Sequence, residues 1–333
     1  MKTPQLISSD AKNKPENAFD IRVGLSACLA GHEVRYNGGH TQSRLCLDVL
    51  AQHFSFRTFC PEVAAGFGTP RPTMRLIGKP EAPKLVFSND DSSDLAPRLS
   101  QGFEPQLAAM TELDGYILMK NSPSCGLERI KVYQANGHPH EIRTAGLFAK
   151  ALKTHYPLMP IEEEGRLHDP KLFDNFVMRV YAYHNFRNEV LPQPSRHKLI
   201  AFHGSYKYLL MAHDQQQVRK LGRMLASSTL SAEPLAKSYL EYFMKILAKP
   251  ASKANHTNAL LHILGYLKKS VPSQARQHIV ETIHKYQQGV FPLTTPLTLL
   301  KHYLEQYGSD YIKAQRYLDP YPENINPIRK YYS

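Results

Sequence analysis

The chain reads as an α/β N-terminal domain with a mostly parallel sheet, followed by an all-α C-terminal domain. Three observations predict this. From about residue 21 to 152, short apolar runs alternate with helical stretches, the pattern of a parallel sheet covered on both faces. Beyond Glu163 the apolar residues recur at i, i+3 and i+4, in runs separated by Pro, Gly or Ser clusters. A length of 333 residues also favours two domains over one.

Residues 1–20 are polar, contain Pro4, Asp10, Pro15 and Glu16, and lack the apolar core of a signal peptide, so a flexible tail is expected there. The next domain is placed at 21–162. Strands are expected at 21–25, 54–59 and 115–119, and helices at 45–50, 107–110 and 144–152. Between Pro70 and Pro97 the chain is rich in Pro, Asp and Ser and is expected to form a long excursion over the site. Residues 163–333 form the second domain. Asp169 and Pro170 start a helix carrying Phe173, Phe176, Val177, Val180 and Tyr181 at helical spacing. Six more helical runs follow, at 199–212, 215–225, 235–247, 257–267, 275–287 and 295–305. The Pro-rich tail from Tyr317 is expected to dock irregularly.

With 42% hydrophobic and 21% charged residues, the composition is that of an ordinary globular protein. No apolar run approaches membrane-spanning length. A cytoplasmic location follows as an expectation, and there four cysteines are thiols or metal ligands rather than disulfides. The net charge of +12 is uneven. Residues 1–150 hold 17 basic and 15 acidic side chains, residues 151–333 hold 24 and 14. A basic second half points to a polyanion, most simply nucleic acid. The plain alternative is a basic surface that binds nothing anionic.

Three cysteines share one setting. Cys28, Cys60 and Cys125 each follow an expected strand and precede small or turn-forming residues. In an open α/β sheet, ligands bind at the carboxyl ends of the strands, so the three would converge. There is no Cys-x-x-Cys, and by spacing alone three unrelated turn or core cysteines are the better reading. The small neighbours shift that balance, because a bulky inorganic cluster must lie close to backbone. Cys46 sits inside an apolar helical pattern and reads as a core residue.

The motifs Ser26-Ala-Cys28-Leu-Ala-Gly31 with Val34-Arg-Tyr-Asn-Gly38, Cys60-Pro-Glu62 with Gly66-Phe-Gly-Thr-Pro-Arg71, and Ser122-Pro-Ser-Cys125-Gly126 together resemble the thiouracil desulfidase family. The resemblance covers about residues 20–160. It implies a [4Fe-4S] cluster on three cysteines, matched here by Cys28, Cys60 and Cys125. It also implies a catalytic Glu, matched by Glu62, and a catalytic Ser, for which Ser122 and Ser124 both qualify. The second half, around Phe202-His-Gly-Ser-Tyr-Lys207 and Asn258-Ala-Leu-Leu-His262, is similar to a helical domain (DUF1722) found fused to such desulfidases. That fused form is associated with removing sulfur from 4-thiouridine in tRNA.

Three thiolates would leave one iron of the cube without a protein ligand, a soft acceptor suited to a thiocarbonyl sulfur. Glu62 would take a proton from the attacking water. Ser122 or Ser124 would hydrogen-bond the pyrimidine edge or pass a proton. No redox change is needed. Each residue has a plainer reading: Glu62 as a helix N-terminal carboxylate after Pro61, the serines as turn residues. Arg35 and Arg71 suit a phosphate or the base, and equally an ion pair. In the helical half, Lys207, Arg219, Lys220, Arg223, Lys268 and Lys269 are candidates for RNA contact, against the alternative of solvated faces. His203, Lys207 and His213 lack a carboxylate or cysteine to make a metal site and read as core and surface residues. The expected partner is tRNA carrying 4-thiouridine. A desulfidase of free thiouracil, with the helical domain used for dimerisation, is the second enzyme reading. A non-enzymatic RNA-binding metal protein is a third. The oligomeric state stays open.

Overall fold

The computed structural model describes residues 21–325. In chain order, β1 (Arg22–Ser26) runs into a 3-10 turn, Ala27–Ala30. A π-type turn at Leu45–Val49 and a 3-10 turn at Leu50–Gln52 lead to β2 (Ser55–Phe59) and the short helix α1 (Pro61–Ala64). Next come β3 (Met74–Lys79), β4 (Ala82–Phe87), α2 (Ala96–Ala108), β5 (Gly115–Leu118), β6 (Val132–Tyr133), α3 (Leu147–His155) and β7 (Ile161–Glu163). After a 3-10 turn at Glu164–His168 the chain is helical: α4 (Pro170–Glu189), α5 (Arg196–His213), α6 (Gln215–Ser227), α7 (Ala232–Leu247), α8 (Lys253–Leu264), α9 (Ser273–Gln287), α10 (Thr294–Tyr307) and α11 (Asp310–Lys313). The tail expected at residues 1–20 lies outside the described residues.

The main sheet has strand order β2-β1-β5-β7, and every neighbouring pair is parallel. Its centre, β1 and β5, is buried on both faces, which is why both strands read as near-continuous apolar runs. Gly24 on β1 sits opposite Tyr116 on β5. A Cβ at Gly24 would come within 2.2 Å of the Tyr116 ring, so the aromatic side chain can lie across β1 only because Gly24 has none.

The helix expected at 45–50 is a π-helical turn running into a 3-10 turn, and Cys46 is fully buried as expected. The helix expected at 107–110 is corrected: α2 ends at Ala108, so only its last turn reaches that stretch. The excursion between Pro70 and Pro97 carries strands of its own: β3 and β4 form an antiparallel hairpin, and β6 adds to it in parallel, giving a second sheet of order β4-β3-β6. Pro83 is tolerated because β4 is an edge strand.

The two halves are joined by α4. Asp169 accepts hydrogen bonds from the Lys171 and Leu172 amides, and Pro170 occupies the first helical position. Phe173, Phe176, Val177, Val180 and Tyr181 pack against Ile21, Val23, Leu25 and Ile117 of the sheet. Met178, Ala182 and Phe186 enter the helical core beside Phe202, Tyr239 and Phe243. Buried Asp114 adds polar stitches, accepting from Arg187 Nη1 at 2.8 Å and pairing with His184 Nδ1 at 2.7 Å. The seam therefore runs along β7 and α4 rather than through one residue. The tail docks through buried Tyr317, Leu318 and Ile325. Among the described residues, no helix is long and apolar enough to cross a membrane.

Candidate active site

β2, β1 and β5 lie side by side and run in the same direction, so their carboxyl ends share one edge of the sheet. Each leads into a turn that carries one of the three cysteines. Cys28 lies in the 3-10 turn after β1, Cys60 precedes α1 after β2, and Cys125 lies in the turn after β5. All three are free thiols. Burial, first of all, pushes the Cys28 thiol up to about 11, and the Cys60 charge adds to it. Burial likewise pushes Cys60 up. Cys125 is raised well above the usual thiol range by burial, then by the charges of Cys60, Glu62 and Cys28. Cys28 and Cys125 resist ionisation partly through the charges of their neighbouring cysteines.

Among the described residues, no group of three or more His, Cys, Asp or Glu side chains is drawn together tightly enough for a single metal ion. A polynuclear cluster makes a different demand, because its ligands sit around it on separate corners. Three soft thiolates suit iron–sulfur chemistry. The Tyr116 hydroxyl supplies an independent observation. It is enclosed and has no hydrogen-bond partner. Burial, then the charges of Cys125 and Cys60, push its ionisation well above the usual tyrosine range. An unmet buried donor costs about 1–3 kcal/mol, and a sulfide-bearing group among the thiols would meet it. The residues present fit a cluster.

The turn carrying Cys125 is held from several directions. Asn121 enters it in the left-handed region, at φ 57°. Ser122 Oγ accepts from the Ser124 and Cys125 amides at 3.2 and 3.1 Å. The first amides of α3 close over the turn: Leu147 N donates to Pro123 O at 3.0 Å and Phe148 N to Ser124 O at 2.9 Å. Gly146 permits this approach, since a Cβ there would lie 2.5 Å from Ser124 O. Ser26 Oγ takes the Met119 amide at 3.0 Å and hydrogen-bonds the Cys125 thiol. From β7, Glu163 Oε1 accepts the Leu127 amide at 2.8 Å.

Glu62 stands in the first turn of α1, after Pro61, where the helix end favours a carboxylate. Its two oxygens have different partners. Oε2 accepts from Arg71 Nε at 3.0 Å and from Arg71 Nη2. Oε1 accepts from Ser124 Oγ at 2.7 Å and faces Ser122 Oγ at 3.5 Å. Arg71 is itself fixed, donating to Gly68 O at 2.7 Å and Val34 O at 3.0 Å. Of its two readings the ion pair is the one formed. Ser124 is fully buried, whereas Ser122 is half-buried.

Cys28, Cys60, Cys125, Glu62, Ser122, Ser124 and Arg71 thus form one constellation. Arg35 stands beside it: its Nη1 donates to Thr41 Oγ1, and its charge opposes the upward shift at Cys28. The other basic candidates lie on the helical half. Arg219, Lys220 and Arg223 are exposed on α6, opposite buried Val218, Leu221 and Leu225. Lys207 lies 5.7 Å from the Tyr208 ring centroid, and Lys268 and Lys269 are exposed beyond α8. His203 pairs with Tyr239 Oη at 3.2 Å and His213 with Lys249 O at 2.6 Å, both within the helical packing. Sequence reasoning missed Tyr116, Ser26 and Glu163. An aromatic residue inside an apolar strand reads as core, and the other two act across the sheet on distant segments.

The chain matches the family described as 2-thiouracil desulfurase over residues 23–164, and the family of unknown function DUF1722 over residues 207–322. It is 31% identical over 155 residues to the uncharacterized protein YbgA of Escherichia coli (strain K12), covering 46% of this chain and 92% of that protein. It is 32% identical over 138 residues to the uncharacterized protein YbbK of Bacillus subtilis (strain 168), covering 39% of this chain and 87% of that protein. Among solved structures, the [4Fe-4S]-dependent thiouracil desulfidase TudS is 28% identical, covers 45% of this chain and 95% of its own, and superposes with a TM-score of 0.35.

Proposed function

The chain belongs to the 2-thiouracil desulfurase family, with a DUF1722 region behind that domain, and from this premise we propose that it is an iron–sulfur-dependent desulfidase converting 4-thiouridine in tRNA to uridine and hydrogen sulfide. The observation that carries the reading is the placement of three thiols after the ends of three adjacent parallel strands, with the unmet Tyr116 hydroxyl buried on the central strand β5. Cys28, Cys60 and Cys125 would hold a [4Fe-4S] cluster. When bound, such a cluster supplies a soft Lewis-acid position that prefers a thiocarbonyl sulfur to the oxygen of uracil.

The chain's own residues do the proton work. Arg71 fixes Oε2 of Glu62, and the two serines lie against Oε1. Oε1 is the oxygen that takes a proton from the attacking water. The water oxygen replaces sulfur on the ring carbon, and sulfur departs as hydrosulfide, so the reaction is a hydrolysis and needs no electron donor. Ser124, buried and donating at 2.7 Å, orients Glu62. Ser122 accepts two amides and keeps its own hydrogen for Glu62 or for the pyrimidine edge. Burial of the site requires a nucleobase in RNA to leave its stack. Exposed Arg219, Lys220 and Arg223 suit the phosphate backbone of such a substrate.

The test is mass spectrometry of nucleosides from tRNA treated with the anaerobically iron-loaded protein. Loss of 4-thiouridine with matching gain of uridine is expected. Desulfuration of free 4-thiouracil with tRNA untouched would assign the free base instead. Inertness toward both would overturn the reading.

A further inference from the structure

Away from the thiols, the seam between the two halves carries an open cavity of about 480 Å³. Its lining includes Leu158 from the link between α3 and β7, Arg179 from α4, and Lys237, Glu241 and Lys245 from α7, with Ala248 at that helix's end. Arg179 is the unexplained group. Its Nε is enclosed and meets no acceptor. Burial lowers its ionisation to about 10, and only the Glu162 charge opposes this.

Glu162, the one carboxylate whose charge acts on Arg179, pairs through Oε1 with Arg166 Nε at 2.8 Å. An enclosed guanidinium nitrogen that meets no acceptor is costly to keep. Lys237, Glu241 and Lys245 recur at four-residue spacing on one face of α7, and each lysine is paired only with a carboxylate on its own exposed helix surface. Three cations and one carboxylate thus line the cavity.

We propose that this cavity is an anion site for a phosphoryl group, gripped by Arg179 from within and by Lys237 and Lys245 at the mouth. The planar fork of an arginine matches two phosphate oxygens at once, and the mobile ammonium groups of lysine adapt around it. A backbone phosphodiester of RNA and free phosphate offer the same chemistry. The site is independent of the thiol chemistry, so its test reads binding rather than desulfuration.

The probes are inorganic phosphate, read as a rise in thermal midpoint at constant ionic strength, and a short unmodified single-stranded RNA, read by fluorescence anisotropy. The full-length wild type is compared with Arg179→Met, Arg179→Lys and Lys237→Gln/Lys245→Gln. Arg179→Met is expected to weaken binding at least tenfold, while its ligand-free midpoint equals or exceeds the wild-type value, because an apolar side chain replaces a guanidinium whose enclosed nitrogen meets no acceptor. Arg179→Lys and the double lysine variant are expected to fall between. Loss with both probes establishes a site open to either source. Loss with RNA alone assigns it to the backbone, and loss with phosphate alone to the free ion. Unchanged binding of both probes by Arg179→Met overturns the proposal, as does a wild type that binds neither. A lowered ligand-free midpoint with binding intact would make Arg179 a structural residue and also overturn it.

Discussion

The two halves of the molecule treat their buried polar groups in opposite ways. In the α/β half they converge: Cys28, Cys125, Tyr116, Ser124 and Arg71 are buried around the carboxyl edge of one sheet, with Cys60 and Glu62 among them. In the helical half they are dispersed, and its buried histidines are met singly. His203 pairs with Tyr239, His213 with the Lys249 carbonyl, and His256 with Tyr317 at 3.0 Å. Concentrating groups that are costly to bury marks a place built for chemistry, whereas meeting them one at a time marks packing. The helical half keeps its charge outside, where it can act on a partner.

The largest effect is expected at the convergent site. Glu62→Gln keeps the size of the side chain but removes the base, and should lower turnover of the iron-loaded enzyme roughly 10²–10⁴-fold. Iron content should stay at the wild-type level. Rate measured against iron content separates loss of the base from loss of the cofactor.

The next test is on the dispersed side. Burial lowers His203, His213 and His256 from 6.5 to about 4, with Lys207, Arg179 and His213, respectively, as the neighbouring charges that add to it. Their folded values lie below their unfolded ones. The stability they contribute is present above about pH 6.5 and is lost as pH falls through about 4. Hydrogen exchange along an acid titration should therefore release α5 and α8 before β1 and β5. The reverse order would break the contrast.

Charge removal should also separate the halves. Arg71→Met strips the half-buried Glu62 carboxylate of its buried partner and should cost about 3 kcal/mol in urea unfolding. Arg223→Met, on an exposed face, should change stability by less than about 0.5 kcal/mol. A smaller effect, confined to RNA, is expected from Arg219→Glu, Lys220→Glu and Arg223→Glu combined. Binding of tRNA should weaken about tenfold with a shallower salt dependence, while the rate on free 4-thiouracil stays unchanged.

Much of the convergent site was legible because strand ends announce themselves. An apolar run followed by a cysteine and a small residue locates both the strand and the edge to which it points. The start of α4 was legible for a similar reason, since Asp169 and Pro170 are a cap and a first-turn residue in succession. The second sheet was hidden because Pro80, Pro83 and Gly78 in β3, β4 and their turn look like loop residues until one strand is known to be an edge. The Arg71–Glu62 pair was hidden because α1 and a turn bring back two residues that periodicity does not connect. Tyr116 was hidden because its ring belongs to the core and only its hydroxyl to the site. Arg179 raised no signal, being one polar position among several on α4.

The central claim is that Cys28, Cys60 and Cys125 serve a single cofactor. It is tested most directly by anaerobic iron and sulfide loading of the wild type beside the three single variants Cys28→Ala, Cys60→Ala and Cys125→Ala, with Cys46→Ala as a control. About four irons per chain and an iron–sulfur absorbance are predicted for the wild type and Cys46→Ala, with loss of both in each of the other three. Full loading of any one of those three would contradict a shared site.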